Sequence, residues 1–196
     1  MINPDNITNF NATDEELEEV LLFWICAAGK NASNAARGLD RLLVDLRAYF
    51  SPKFSPFKLI YKLQTYTTQS LADWLKGSGI GCYNHKARSM WELVNAGFDL
   101  KTCSLEDLMS IYGIGPKTAR CFLIHSRRNA RYAGLDTHIL KYLRDRGHDV
   151  PKSTPGSKKK YEEIEKLFLT YVGKNQSVAS VDLGIWLYYR DKGSMV

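Results

Sequence analysis

Cysteine and long apolar runs are scarce in this chain, and each scarcity closes off a class of protein. Its four cysteines, Cys26, Cys82, Cys103 and Cys121, are scattered, with no Cys-x-x-Cys and no Cys/His pair at metal-ligand spacing. Neither a disulfide framework nor a metal site is expected, and the thiols should be reduced. The longest apolar run, residues 20–28, is too short to span a bilayer. It follows the acidic stretch Asp14-Glu15-Glu16-Leu17-Glu18-Glu19, where a secretory leader would carry basic residues. The reading is a soluble intracellular protein of the cytoplasm or nucleoid, with no membrane partner.

What is present is enough for a core. At 196 residues and 44% hydrophobic, the chain can bury one large core or two small lobes sharing a cleft. The net charge of +6 is unevenly placed. Residues 1–100 hold 10 Lys/Arg against 11 Asp/Glu, whereas residues 101–196 hold 17 against 10. A basic half suits an anionic partner, although a charge run can also be a solvated face.

The richest stretch is Ile111-Tyr112-Gly113-Ile114-Gly115-Pro116-Lys117-Thr118-Ala119. Before it, Ser104 caps a short helix over residues 105–111, with Asp107 placed to complete the cap. Gly113 and Gly115 supply positive-φ backbone and no Cβ, so a tight turn can bring its amides close to another molecule. Pro116 opens the next helix. Lys117 then sits against the positive end of that helix dipole, which should lower its pKa and favour a neutral, nucleophilic amine. Nineteen residues after the lysine, Asp136 precedes Thr137-His138-Ile139-Leu140 as an N-cap whose carboxylate is stabilised by free amides. The plainer readings are a helix connection at the glycines and a mere cap at Asp136.

Helical spacing recurs along the chain. Thr13 and Glu16 form a capping box before an apolar stripe running from Leu17 to Ala28. A second amphipathic helix carries Ala35 to Phe50 and stops at Ser51-Pro52, after which Pro52 and Pro56 punctuate a loop. Thr68 caps a short helix with Leu71, Trp74 and Leu75 that ends at Gly77-Ser78-Gly79. After Lys117 the helix runs on to about Asn129, followed by the helix that Asp136 opens. A polar connector over residues 148–160 leads to two last helices, residues 161–172 and 177–190. In the final one Asp182, Ile185, Trp186 and Tyr189 share a face. An acid in an apolar stripe is hard to explain as core, because a buried carboxylate needs partners.

Helix, Gly-Ile-Gly hairpin and helix, with the lysine and the later aspartate, resemble the helix-hairpin-helix DNA glycosylase superfamily, the endonuclease III and 8-oxoguanine DNA glycosylase relatives. Gly81-Cys82-Tyr83-Asn84-His85-Lys86-Ala87 is similar to that family's Gly-x-Tyr-Asn-x-Lys-Ala segment, which lines its DNA-facing cleft. The resemblance implies an all-α, two-lobed helix-hairpin-helix DNA glycosylase fold. A helical barrel over residues 17–129 would contain the hairpin motif at 105–129, and residues 1–16 with 130–196 would form the second lobe. No iron–sulfur cluster is expected, because nothing after Cys121 could ligate one, and no cofactor is implied beyond a monovalent cation at the hairpin.

The same resemblance assigns Lys117 as Schiff-base nucleophile and Asp136 as the essential carboxylate. Gly113, Gly115, Tyr83, Asn84, Lys86, His138, Arg127 and Arg128 would contact DNA, the two arginines belonging to a cluster with Arg120 and Arg131. Lys30 or Asn31 would fill the gap left by a flipped base, the closest alignment placing Gly29 where the family has an amide side chain. Cys121, Asp182, Trp186 and Tyr189 would line a base pocket, with Cys121 equally suited to the core. The implied partner is duplex DNA carrying a modified base or abasic site, bound by a monomer. The implied reaction is base flipping and N-glycosidic cleavage, with strand cleavage by β-elimination. A monofunctional glycosylase using water activated by Asp136, and a non-catalytic DNA grip, are the alternatives.

Overall fold

A computed structural model describes residues 1–67 and 70–193. Among the described residues the secondary structure is entirely helical. After a 3₁₀ turn at Pro4–Asn6 come α1 (Asp14–Ala27), α2 (Ala32–Tyr49), α3 (Pro56–Tyr66), α4 (Leu71–Gly77) and α5 (Tyr83–Ala96). The chain continues through α6 (Leu105–Ser110), α7 (Pro116–Ser126), α8 (Thr137–Arg144), α9 (Lys158–Leu169) and α10 (Val178–Gly193).

Local chemistry explains most boundaries. The Thr13–Glu16 and Ser104–Asp107 capping boxes both form. The supposed loop after Pro52 instead holds α3. Pro56 occupies its first turn, where a missing N–H costs nothing, and Ser55 accepts from Lys58 N as the cap. Ser70 caps α4, and the expected cap, Thr68, lies outside the described residues.

Two apolar clusters organise the molecule. The first gathers α1 to α7, with Phe23, Leu39, Leu42, Leu59, Met90, Leu108 and Phe122 all buried. The second joins Ile124 at the end of α7 to Leu135, Leu140, Leu143, Tyr161, Phe168 and Ile185. Helix α7 therefore belongs to both cores and is the beam between them. The N-terminal residues, expected with the second lobe, bridge the two: Ile7 is buried in the first cluster, while Asp5 pairs with Arg190 of α10.

The arginine cluster takes part in this joinery. Buried Arg120 donates Nε and Nη2 to the two carboxylate oxygens of Glu165 at 2.8 and 3.1 Å, tying α7 to α9. Arg131 donates to the carbonyls of Val172, Gly173 and Gln176. Arg127 Nη2 reaches the carbonyls of Leu100 and Cys103 at 3.2 and 2.7 Å. Arg127 thus acts as a structural clasp through Nη2 where only a phosphate contact was expected of it, and its buried Nε has no hydrogen-bond partner among the described residues. Arg128 stays exposed, with its guanidinium over the Phe10 ring.

Candidate active site

A cavity of about 730 Å³ opens between the two lobes. Its walls bring together Lys117, Cys121, Asp136, His138, Asp182 and Trp186, which are spread over 70 residues of sequence, with Gly29, Lys30 and Asn31 from the α1–α2 turn and Gly113 and Gly115 from the hairpin.

The hairpin is fixed from below. Gly113 has φ +78°, and a Cβ there would stand 2.3 Å from Ser89 Oγ on α5, so both its backbone conformation and its packing require glycine. Gly115 differs from expectation, since at φ −84° its backbone is extended. As N-cap of α7 it offers no side-chain acceptor, and the amides of Lys117 and Thr118 are left open at the positive end of the helix, an arrangement suited to an anion.

Asp136 does cap α8. Its Oδ1 accepts from His138 N and Ile139 N, both at 2.9 Å, and its Oδ2 has no protein donor among the described residues. Burial, then the charge of Asp182, raise the Asp136 pKa above the usual carboxylate value, against the opposing pull of Lys117 and of the capping amides. Lys117 is half-buried, with Nζ 5.1 Å from the centre of the Trp24 ring. Burial favours its neutral form, but Cys121, Asp136 and Asp182 together outweigh it, and the net direction is upward. The dipole argument from sequence is therefore overturned, because it omitted the acids facing the lysine. Cys121 adds to that pull only at high pH, since burial pushes its own thiol up to about 12. Its Sγ sits where a Cβ on Gly134 would be, 2.3 Å away, so that glycine makes room for it.

Other expected residues separate. Lys30 lines the cavity and lies along Gly81, where a Cβ would come within 2.9 Å of its Nζ. Asn31 accepts from Asn34 N as the cap of α2. His138 lines the cavity, with its ring stacked on Tyr189 at 6.4 Å. Tyr83 and exposed Asn84 open α5. Lys86, expected on DNA, is buried and donates Nζ to the Cys26 carbonyl at 2.6 Å. It satisfies a terminal carbonyl of α1, and its burial, with 5% of the residue exposed, withholds it from the surface where a phosphate would lie. Tyr189 leaves the pocket as well, being buried in the second cluster with Oη donating to Asp145 at 2.6 Å. The Asp182–Tyr189 stripe thus splits, with Asp182 and Trp186 facing the cavity and Ile185 and Tyr189 the core.

Trp24 and His125 were not anticipated. Trp24 reads as core by spacing yet lines the cavity, and the His125 ring stacks on it at 5.5 Å. A lone histidine late in a helix gives no sequence signal, because its partners come from distant elements.

Residues 99–125 match the family model of the helix-hairpin-helix motif. The fold as a whole is that of the helix-hairpin-helix DNA glycosylases. It is similar to the 8-oxoguanine glycosylase/lyase of Methanocaldococcus jannaschii, solved in complex with a 15mer DNA containing 8-oxoguanine, with a TM-score of 0.64 and 24% identity over 96% of this chain and 87% of that one. It is also similar to the 8-oxoguanine DNA glycosylase of Thermotoga maritima, with a TM-score of 0.59 and 20% identity over 89% of this chain and 88% of that one. No helix among the described residues is long and apolar enough to cross a membrane.

Proposed function

We propose that the protein is a DNA glycosylase with lyase activity, which extrudes a modified base into the interlobe cavity and removes it. The reading rests on one observation: Lys117 and Asp136 face the same cavity, with Lys117 Nζ and Asp136 Oδ2 making no hydrogen bond to protein among the described residues, beside a hairpin whose amides suit a phosphate. Lys117, whose ammonium the facing acids favour, gives up a proton and its amine attacks C1′ as the glycosidic bond breaks; the bonding electrons leave with the base, which takes up a proton in turn. The carboxylate of Asp136 stabilises positive charge developing on the sugar. Ring opening of the adduct gives a Schiff base, loss of a C2′ proton expels the 3′ phosphate, and water releases the lysine. Gly113, Gly115, Lys30 and His138 hold the backbone around the gap, while Asp182 and Trp186 meet the extruded base. Both solved relatives act on 8-oxoguanine, so that lesion heads the substrate panel.

Borohydride should trap the protein on duplexes containing the substrate base or an abasic site, and Lys117→Gln should abolish trapping. Excision without trapping by the wild type would leave a monofunctional glycosylase. Binding without excision across the panel would leave a DNA grip.

A further inference from the structure

The proposed reaction leaves a buried histidine unused. His125 lies two turns beyond Lys117 on the same face of α7, in line with Cys121. It is 2% exposed, in a core position where an apolar residue would suffice. A buried imidazole is costly unless both ring nitrogens find partners. Here both do, from two other parts of the chain: Nδ1 lies 2.8 Å from Thr8 Oγ1 in the N-terminal segment, and Nε2 lies 3.3 Å from Asp182 Oδ2 on α10. The Trp24 indole covers one face of the ring, and Lys117 Nζ stands 5.1 Å from the centre of the same indole.

The hydrogens follow from the chemistry of the partners. Carboxylate oxygens are acceptors, so the contact with Asp182 Oδ2 favours the tautomer with its hydrogen on Nε2. In the tautomer with its hydrogen on Nε2 the ring accepts at Nδ1, and the Thr8 hydroxyl, which can rotate, can donate to it. In that tautomer the contacts form a directed chain in which Thr8 donates to His125 and His125 donates to Asp182. Its effect is to hold one oxygen of Asp182 in place while the residue lines the cavity. Asp182 from α10 meets the ring and Lys117 from α7 lies against the same indole, while the N-terminal segment brings the uncharged Thr8 to the ring and Asn9 N to the His125 carbonyl.

We propose that His125 is a positioning residue for Asp182, and that Thr8 fixes the tautomer in which it acts. The N-terminal segment thereby becomes part of the wall that reads the N–H edge of an extruded base. This rests on the glycosylase reading, because a base is what the wall would read. It goes beyond that reading by assigning the selectivity of the pocket to a three-residue relay outside the Lys117–Asp136 chemistry.

Two measurements test it. Ring ¹⁵N shifts at neutral pH should show His125 as the Nε2–H tautomer in the wild type, and Thr8→Val should disturb that state where Thr8→Ser preserves it. Single-turnover excision from a modified-base duplex is then compared with borohydride trapping on abasic DNA, which offers no base to read. His125→Gln, Asp182→Asn and Thr8→Val should each slow excision, the first two by about tenfold, the size of one good hydrogen bond to a charged group. His125→Gln and Thr8→Val should trap within about twofold of wild type, and Thr8→Ser should behave as wild type; Asp182→Asn is read by excision alone, because its charge also acts on Lys117 and Asp136. The His125→Gln/Asp182→Asn double variant should be no slower than the worse single variant, as for residues acting through one another. Multiplicative losses in the double variant, parallel loss of excision and trapping in His125→Gln or Thr8→Val, or an Nδ1–H tautomer would overturn the proposal. A wild type that neither excises nor traps would sink the glycosylase reading instead, and the tautomer would still decide whether the relay exists.

Discussion

Lys117 and Arg120 stand three residues apart on α7, each facing a carboxylate from the second lobe, and they are treated in opposite ways. Arg120 closes a two-pronged pair with Glu165, whose Oε1 also accepts from Ala133 N at 2.7 Å, and Tyr161 covers the guanidinium at 4.5 Å. Every strong hydrogen-bonding group there has a partner, and the pair joins the lobes. Lys117 and Asp136 close no ion pair, although the field of the acid reaches the lysine. One pair is joinery; the other is held open at a cavity. Charge and burial alone do not separate structure from function, and completeness of pairing does.

The sharpest way to break this contrast is to remove one partner from each pair. Arg120→Met leaves Glu165 buried and unpaired, which should cost about 3–5 kcal/mol in urea unfolding. Adding Glu165→Met should recover much of that loss, and the folded fraction of either variant should retain trapping. Lys117→Gln should unfold near the wild-type midpoint, since no hydrogen bond is lost, while trapping disappears. Should Lys117→Gln destabilise as much as Arg120→Met, the two pairs are not different in kind. Next in size is Asp136→Asn, which keeps a good cap but removes the charge. Single-turnover excision should fall on the order of 10²-fold, and near-normal excision would remove Asp136 from the mechanism.

How far the sequence could show this contrast varies by residue. The hairpin, the Asp136 cap and the capping boxes are local, so residue type and spacing reveal them directly. The roles of the arginines are not local. Arg120, Arg127 and Arg131 cluster in sequence as a phosphate-binding patch would, yet their acceptors lie 24 to 45 residues away, on carbonyls and a glutamate that only the fold brings near. Lys86 misleads in the same way, because the carbonyl it meets is 60 residues distant. The N-terminal segment and His125 were missed since nothing in a single helix pattern says what a buried imidazole will touch. Helix α3 was missed for a local reason, the reading of Pro56 as a break when it is a start.

The same distinction applies to binding. Exposed cations at the cavity mouth should release counterions on DNA, whereas cations already bonded to protein should not. Lys30→Ala should reduce the magnitude of the log–log salt slope by about 0.9, and Arg127→Ala should leave it unchanged while lowering stability. A slope change for Arg127→Ala would restore it to the interface.

The smallest effect tests whether the open pair is held at a cost to folding. The pKa of Asp136 is raised in the folded state, a net direction that already includes the opposing pull of Lys117. The native carboxyl therefore binds its proton more tightly than the unfolded one does. Its contribution to stability is fully present below the unfolded pKa and is lost as pH rises through the folded value. At neutral pH the ionised carboxylate is thus a liability, and Asp136→Asn, which caps equally well, should melt higher than wild type. For a chain of this size, about 1 kcal/mol corresponds to roughly 2–4 °C. The advantage should shrink as the buffer is acidified, because the protonated wild-type carboxyl and the amide are then both uncharged, and it should vanish once Asp136 is protonated in both states of the wild type. Melting curves of the two proteins between neutral pH and the acid limit of folding measure this. A variant that melts lower than wild type at neutral pH would mean that the Asp136 charge stabilises the fold, making Asp136 joinery of the kind that Glu165 provides.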